Sequence, residues 1–283
     1  EVRAAIRARR PQVNRLGFVP TMGYLHAGHE ALIRRAREEC DLVAVSIFVN
    51  PTQFGPTEDL EKYPRDLARD LALCRRAGAE LIFHPEPAEI YPRGAATWVE
   101  VERMTEVACG AVRPGHFRGV TTVCAKLFNI IRPDRAYFGE KDYQQLQVIR
   151  RMVRDLFLSL TIVGVPTVRE ADGLAMSSRN SYLTPTERQA ARVVPRALQA
   201  AQEAVERGEL ATTKITDVVA EMVAAQPLAK LQYAVVVEPE TLAPLRVLTQ
   251  EARLLVAVVV GSTRLIDNIA LVPKAPPPPA PSA

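Results

Sequence analysis

The sequence is sparing with several residue types, and each scarcity narrows what the chain can be. It holds four cysteines in 283 residues, and none form a Cys-x-x-Cys pair. That spacing removes a disulfide framework and a thiolate zinc site, and it reads as reduced thiols of a cytoplasmic protein. The net charge is +4, too small an excess to mark a nucleic-acid surface. No apolar run reaches the length of a membrane span. The longest, Leu254 to Val260, is short and β-branched and so reads as a buried strand. The first ten residues are basic but lack the apolar core of a secretory signal. Internal repeats are absent. Histidine is scarce too, with four in the whole chain, and two of them stand three residues apart.

What is present suits a globular protein. Hydrophobic residues make up 48% and charged residues 24%, and the length allows two domains. Val2 and Ile6 share one face of a short helix. Residues 16 to 20 read as a strand and 27 to 40 as a helix, and the apolar run from Asp41 to Val49 is written like a parallel strand covered on both faces. A charged helix near 64–77 leads to a short strand at 80–83, and a further strand is expected near Thr97–Val101. Apolar residues at helical spacing from Val120 to Ile131, a strand at 135–138, a helix at 143–157 and a strand at 160–163 complete the series. Alternation of this kind predicts an α/β fold, a Rossmann-like parallel sheet with helices on both faces. After Pro166 the pattern changes to helices near 185–207 and 212–224 and strands near 231–237 and 254–260, the last of which turns through Gly261-Ser262-Thr263 into Arg264–Ile269. We therefore expect a first domain over 1–167 and a smaller C-terminal α+β domain over 168–283, ending in a loose proline-rich tail from about 275.

The richest stretch is Gly17-Phe-Val-Pro-Thr-Met-Gly-Tyr-Leu-His-Ala-Gly-His29. It places His26 and His29 on one face of a helix's first turn, where free N–H groups and the positive dipole end collect anions. Two imidazoles there can donate hydrogen bonds to a phosphate whose charge grows during reaction, which is the chemistry of adenylyl transfer. A structural helix cap is the plainer alternative. A second motif, Phe48-Val-Asn-Pro-Thr-Gln-Phe54, offers Asn50 and Gln53 as neutral amides at a strand end, where ligands of such folds bind. It could also be a simple Asn-Pro turn. In Gly139-Glu-Lys-Asp-Tyr-Gln-Gln145, Lys141 can reach phosphates as a point charge, Asp142 can accept from ribose hydroxyls, and Gln145 can face the same crevice as Gln53. Met176-Ser-Ser-Arg-Asn180 brings two hydroxyls and a guanidinium suited to a triphosphate, unless it is merely a serine-rich linker. Tyr63, Asp66 and Asp70 follow the second motif and could help hold magnesium, though a solvated helix face explains the acids equally well. His116 lies in a glycine-rich loop that could flap over the pocket, and His84 reads as structural.

These four motifs, in this order, closely resemble the pantothenate synthetase (pantoate–β-alanine ligase) family, within the HIGH-motif nucleotidyltransferases. The likeness runs from about residue 16 to about 270 and includes Thr263-Arg-Leu-Ile-Asp-Asn268. The proline tail is not a family feature. The resemblance implies an amide-forming ligase that makes pantoyl adenylate from ATP and pantoate and then passes the pantoyl group to β-alanine. It implies that His26, His29 and Lys141 stabilise the α-phosphate and that Ser177, Ser178 and Arg179 hold the departing pyrophosphate. Gln53 and Gln145 would bind pantoate, with Met22 against its methyl groups and Asn50, Tyr63 and His116 lining the site. Pro20, Gly23, Gly139, Asp142, Val168 and Met176 would complete the ATP site, and Asp70 would assist a magnesium ion carried mainly by the ATP phosphates. The second domain would act as a lid. A homodimer, a cytoplasmic location and the absence of nucleic-acid or membrane partners are further expectations. Another adenylyl transferase of the same superfold, a class I aminoacyl-tRNA synthetase and a non-catalytic sensor of ATP or pantoate are the competing readings.

Overall fold

The structure, a computed structural model, describes residues 1–56 and 58–273. The proline-rich tail from about 275 lies outside the described residues. The chain divides into two compact units, Glu1–Ser181 and Tyr182–Ala283.

The first unit is built on five parallel strands, β1 (Leu16–Thr21), β2 (Leu42–Ile47), β3 (Leu81–Phe83), β4 (Arg135–Gly139) and β5 (Thr161–Val165), in the order β3-β2-β1-β4-β5. Between and around them run α1 (Val2–Arg9), α2 (Ala27–Glu39), α3 (Leu67–Ala77), α4 (Pro87–Ile90), α5 (Ala108–Val112), α6 (His116–Ile131) and α7 (Tyr143–Asp155). All six residues of β2 are buried, as its continuous apolar run requires. Side chains alternate across a strand, so Leu42 and Ala44 join one core with Phe18, Phe128 and Ile149, while Val43 and Val45 join another with Ile33 of α2 and Cys74 of α3. Helices therefore cover both faces, as expected for this α/β class. The strand order reverses between β1 and β4, and at such a switch point the loops beyond the carboxyl ends part to leave a crevice.

The second unit pairs three antiparallel strands, in the order β6 (Ala229–Val237), β7 (Ala252–Val260) and β8 (Thr263–Leu271), with α8 (Pro185–Ala191), α9 (Val193–Glu206) and α10 (Thr212–Ala224). The hairpin between β7 and β8 closes through Gly261 and Ser262, with Val260 opposite Thr263. Ile215, Val219 and Val223, four residues apart, form the buried stripe of α10.

Three expectations are corrected. Thr97–Val101 forms no strand; its backbone is held instead by hydroxyls of α6. Thr122 Oγ1 accepts from Val99 N at 3.0 Å, and Thr121 Oγ1 donates to Val99 O at 2.6 Å. The helix expected over 185–207 is two helices that break at Arg192. Pro195 has no N–H to give Ala191, and its ring crowds that carbonyl. The chain divides after Ser181 rather than at 167, because the intervening segment is tied to the first unit. Ser178 Oγ donates to Tyr24 O at 3.3 Å, and Arg179 reaches Asp59 through two bonds of 3.0 and 2.8 Å. Among the described residues no helix is long and apolar enough to cross a membrane, and all four cysteines are free and buried.

Phe18 is fully buried on β1 and meets Phe128 of α6 edge to face at 6.3 Å. Phe18→Ala should lower the unfolding free energy by about 3–5 kcal/mol, measured by urea denaturation. A loss under about 1 kcal/mol would mean that this face of the sheet is not packed as described.

Candidate active site

A cavity of about 230 Å³ opens at the switch point, walled by residues that follow β1, β2, β4 and β5. His26 and His29 stand at its edge through an unusual cap. His26 is the N-cap of α2, and its Nδ1 accepts from Gly28 N at 3.1 Å, while His29 Nδ1 accepts from His26 N at 3.3 Å. A Cβ on residue 28 would lie 3.0 Å from the His26 ring, so glycine there lets the ring fold back over the helix start. The two rings sit 4.1 Å apart.

These bonds assign the tautomers. A neutral imidazole that accepts at Nδ1 carries its proton on Nε2. Burial, and then the Lys141 charge, lowers the pKa of His26 to about 4. His29 is pushed well below the ordinary histidine value by burial, by His26 and by Lys141. Both rings are therefore uncharged at neutral pH, and each holds an Nε2–H donor.

The turn before α2 is held from outside the cavity. Tyr24 adopts a left-handed φ of 49°. Its N–H donates to Asp70 Oδ2 at 2.8 Å, and Leu25 N donates to Asp70 Oδ1 at 2.7 Å. Asp70 is 1% exposed. It and Gly23 face a separate cavity of about 320 Å³ rather than the one at the switch point. The expectation of Asp70 as a metal ligand is thus corrected: both its oxygens are engaged by the main chain. Asp66 is no better placed, since its Oδ1 accepts from Arg69 N at 3.0 Å and caps α3. Among the described residues no group of three or more His, Cys, Asp or Glu side chains could hold a metal ion.

Pro20, Met22, Asn50, Gln53, Tyr63, His116, Gly139, Lys141, Asp142, Gln145, Val168, Met176, Ser177, Ser178 and Arg179 all line the same cavity as the histidines. Lys141 Nζ lies 3.4 Å from Asp142 Oδ2. Burial alone would raise the pKa of Asp142, but the Lys141 charge and hydrogen bond bring it below the ordinary carboxylate value. Arg179 stands 5.9 Å above the Tyr63 ring and forks onto Asp59. Gln144 and Gln145 divide their work along α7: Gln144 turns inward to Cys109 N, Met104 O and Val107 O, and Gln145 lines the cavity.

Two lining residues differ from their expected manner of contact. Asn50 is 1% exposed and its amide is fully engaged within the protein. His116 is no flap. Its Nδ1 donates to the Gln53 carbonyl at 2.8 Å, and its Nε2 accepts from Arg113 at 3.1 Å. Burial, and then Arg113, lowers its pKa to about 4. The motif reading passed over Arg113, which also reaches Gln53 O at 3.3 Å and pairs with Glu58 at 2.5 Å. Its only sequence signal was its place three residues before His116. Val120, Val123, Cys124 and Leu127 read as helix core from their spacing, and they also form an apolar wall of the cavity.

A helix N-terminus, two uncharged imidazole donors and a lysine at the switch point of a doubly wound sheet define a phosphate-handling α/β enzyme. The comparisons with known proteins narrow this class. The family described as pantoate-beta-alanine ligase matches residues 1–270, and the chain belongs to that family. It is 58% identical over 254 residues to the pantothenate synthetase of Heliobacterium modesticaldum, covering 90% of each chain. It is similar to the crystal structure of pantothenate synthetase from Thermus thermophilus, with TM-score 0.91 and 52% identity over 96% of this chain and 98% of that one. It is also similar to the Francisella tularensis pantoate-beta-alanine ligase complexed with beta-gamma ATP and beta-alanine, with TM-score 0.78 and 35% identity over 95% of each chain.

Proton NMR titration of the imidazole Cε1–H signals should show His26, His29 and His116 unchanged from pH 8 to pH 5. Because their folded pKa values are depressed, the stability they contribute is present above the unfolded value near 6.5 and is lost as pH falls below it, toward about 4 for His26 and His116. Midpoints near 6.5 for these three rings would overturn the reading that they are held uncharged by burial.

Proposed function

We propose that this cavity condenses pantoate with β-alanine to give pantothenate, using ATP through a pantoyl adenylate. A pantoate carboxylate oxygen attacks the α-phosphorus of ATP, the bond to the β-phosphate oxygen breaks, and pyrophosphate leaves. The amine nitrogen of β-alanine then attacks the acyl carbon and gives up a proton as AMP departs. The observation that carries this reading is the meeting of two Nε2–H donors, Lys141 and the α2 N-terminus in one cavity of a chain of this family.

His26, His29 and Lys141 stabilise the charge that grows on the α-phosphate. Donors fixed in advance act strongly at such a point, each being worth about a hundredfold or more in rate. Ser177, Ser178 and Arg179 receive the pyrophosphate, with Arg179 exchanging Asp59 for it. Gln53 and Gln145 take the oxygens of pantoate, and Met22 with the apolar α6 wall takes its methyl groups. Tyr63 closes the pocket. Gly139 and Asp142 hold the ribose, and Pro20, Val168 and Met176 flank the nucleotide. The cavity histidines are not bases for the amine, because the Nδ1 lone pairs of His26 and His29 accept from the Gly28 and His26 N–H groups and the Nε2 lone pair of His116 accepts from Arg113. Proximity and a good leaving group drive the second step. Magnesium would be carried on the ATP phosphates, since among the described residues no group of three or more His, Cys, Asp or Glu side chains could hold it. The enzyme acts as a homodimer in the cytoplasm.

AMP release should require ATP, magnesium, pantoate and β-alanine together, with pantothenate identified by mass spectrometry. Pyrophosphate exchange with pantoate but no AMP release with β-alanine would leave the acceptor open. ATP binding without turnover would favour a sensor. His29→Ala and Lys141→Ala should each lower turnover by about a hundredfold or more while leaving the circular dichroism spectrum unchanged. Near-normal turnover would remove that residue from the reaction. Light scattering should give twice the chain mass, and a monomer mass would refute the dimer.

A further inference from the structure

We infer that Asn50, its sense fixed by the Gly119 carbonyl, sets which end of the Gln53 amide faces the cavity, and that Tyr91 is a positioning residue that steadies Asn50 from its oxygen end. Its consequence for catalysis rests on the reading of Gln53 as a pantoate ligand; the orientation itself rests on geometry alone.

The two ends of a side-chain amide are alike in shape and opposite in hydrogen-bonding sense. A neighbour whose sense cannot change must decide between them. For Asn50 that neighbour is the main-chain carbonyl of Gly119, which can only accept and lies 3.2 Å from Asn50 Nδ2. The opposite end, Oδ1, meets the Tyr91 hydroxyl at 2.8 Å and the Thr52 hydroxyl at 3.0 Å. The remaining Nδ2 proton goes to Gln53 Oε1 at 3.0 Å. With its oxygen turned toward Asn50, Gln53 points Nε2 the other way, to Met22 Sδ at 3.1 Å and the cavity. Gln53 therefore offers protons to the cavity and not a lone pair. That sense suits an oxygen-rich anion such as a hydroxy acid and disfavours a ligand that presents donors at this place.

Tyr91 is fixed for this task. Its ring lies over Trp98 at 6.5 Å with an interplanar angle of 28°. Lys126 Nζ sits 4.6 Å from its centre and donates to Ile90 O at 2.8 Å. Burial raises the phenol pKa, so the hydroxyl keeps its proton. The Gly119 carbonyl is equally constrained, since a Cβ on that residue would come 2.4 Å from Thr52 O. Only a glycine lets α6 approach the Asn50–Gln53 turn this closely.

Neutron diffraction from deuterated protein tests the orientation without any ligand. Deuterium is expected on the Gln53 atom that faces Met22 and not on the one that faces Asn50; the reverse would overturn the inference. Steady-state kinetics test its consequence. Tyr91→Phe should raise KM for pantoate about five- to tenfold, the effect of losing one hydrogen bond, with KM for ATP within about twofold because the phosphate donors are untouched. Tyr91→Phe combined with Thr52→Val should raise it further. Asn50→Asp can no longer donate to Gln53 Oε1, so the Gln53 amide turns over and KM for pantoate should rise more than in either hydroxyl variant. An unchanged pantoate KM in Tyr91→Phe and in the double variant would overturn the positioning role. If the wild-type protein used no pantoate at all, the substrate reading would fall, while the neutron result would still decide the amide's orientation.

Discussion

Each of the two histidines that open α2 gives its Nδ1 lone pair to a main-chain N–H, and much of the site follows from that pair of bonds. The bonds leave Nε2 as the protonated atom in both rings. They also satisfy N–H groups that a helix start otherwise leaves without partners. The same arrangement that caps the helix therefore prepares two uncharged donors beside a cavity. Asp70 supports it from behind by holding the Tyr24 and Leu25 N–H groups, and Gly28 leaves room for the ring of His26 to turn back. Lys141 supplies the positive charge that the imidazoles do not carry, and together with burial it keeps them neutral. One cation and two neutral donors are easier to hold together than three cations, because like charges in a buried space raise one another's free energy.

The outline of this structure could be read from residue order because its determinants are local. The apolar run of β2 could only be a strand covered on both sides, and the spacing of Val120, Val123, Leu127 and Ile131 could only be a helix with one buried face. The motif residues fall at the carboxyl ends of the strands, where the topology puts a crevice, and nearly all meet in one cavity. The two exceptions are instructive. Gly23 lies in the turn before α2, Asp70 of α3 holds that turn, and both line a different cavity. A motif conveys residue type and distance along the chain, but not which neighbour a side chain has already bonded. Asp70, Asn50 and His116 all looked like ligands because they are polar and well placed. Each is instead occupied by a partner far away in sequence. The same reason explains Thr97–Val101, an extended segment secured by helix hydroxyls, whose bonds leave no trace in its own residues. Pro195, by contrast, is a local signal for the helix break, and it outweighs the apolar periodicity around it.

The Gln53 turn shows how several weak constraints make a strong one. His116 and Arg113 hold its carbonyl, Asn50 holds its side chain, and the bare Cα of Gly119 sets the approach of α6. Each neutral bond among them is worth about 1 kcal/mol net, and the one from the Arg113 cation somewhat more. Acting on one residue, they remove nearly all its freedom before a ligand arrives, and a ligand then loses less entropy on binding there.

The bidentate contact between Arg179 and Asp59 has a different kind of consequence. An anion that approaches this guanidinium meets a carboxylate already seated in the two-pronged geometry it would itself adopt. Its gain is the difference between two similar attachments rather than the whole of one. A lone phosphate ion, with nothing else to hold, gains little over the resident carboxylate. A longer polyanion that engages neighbouring donors at the same time tips the exchange. The resident acid thus works as a threshold, making the arginine responsive to the size of an anion as well as to its charge.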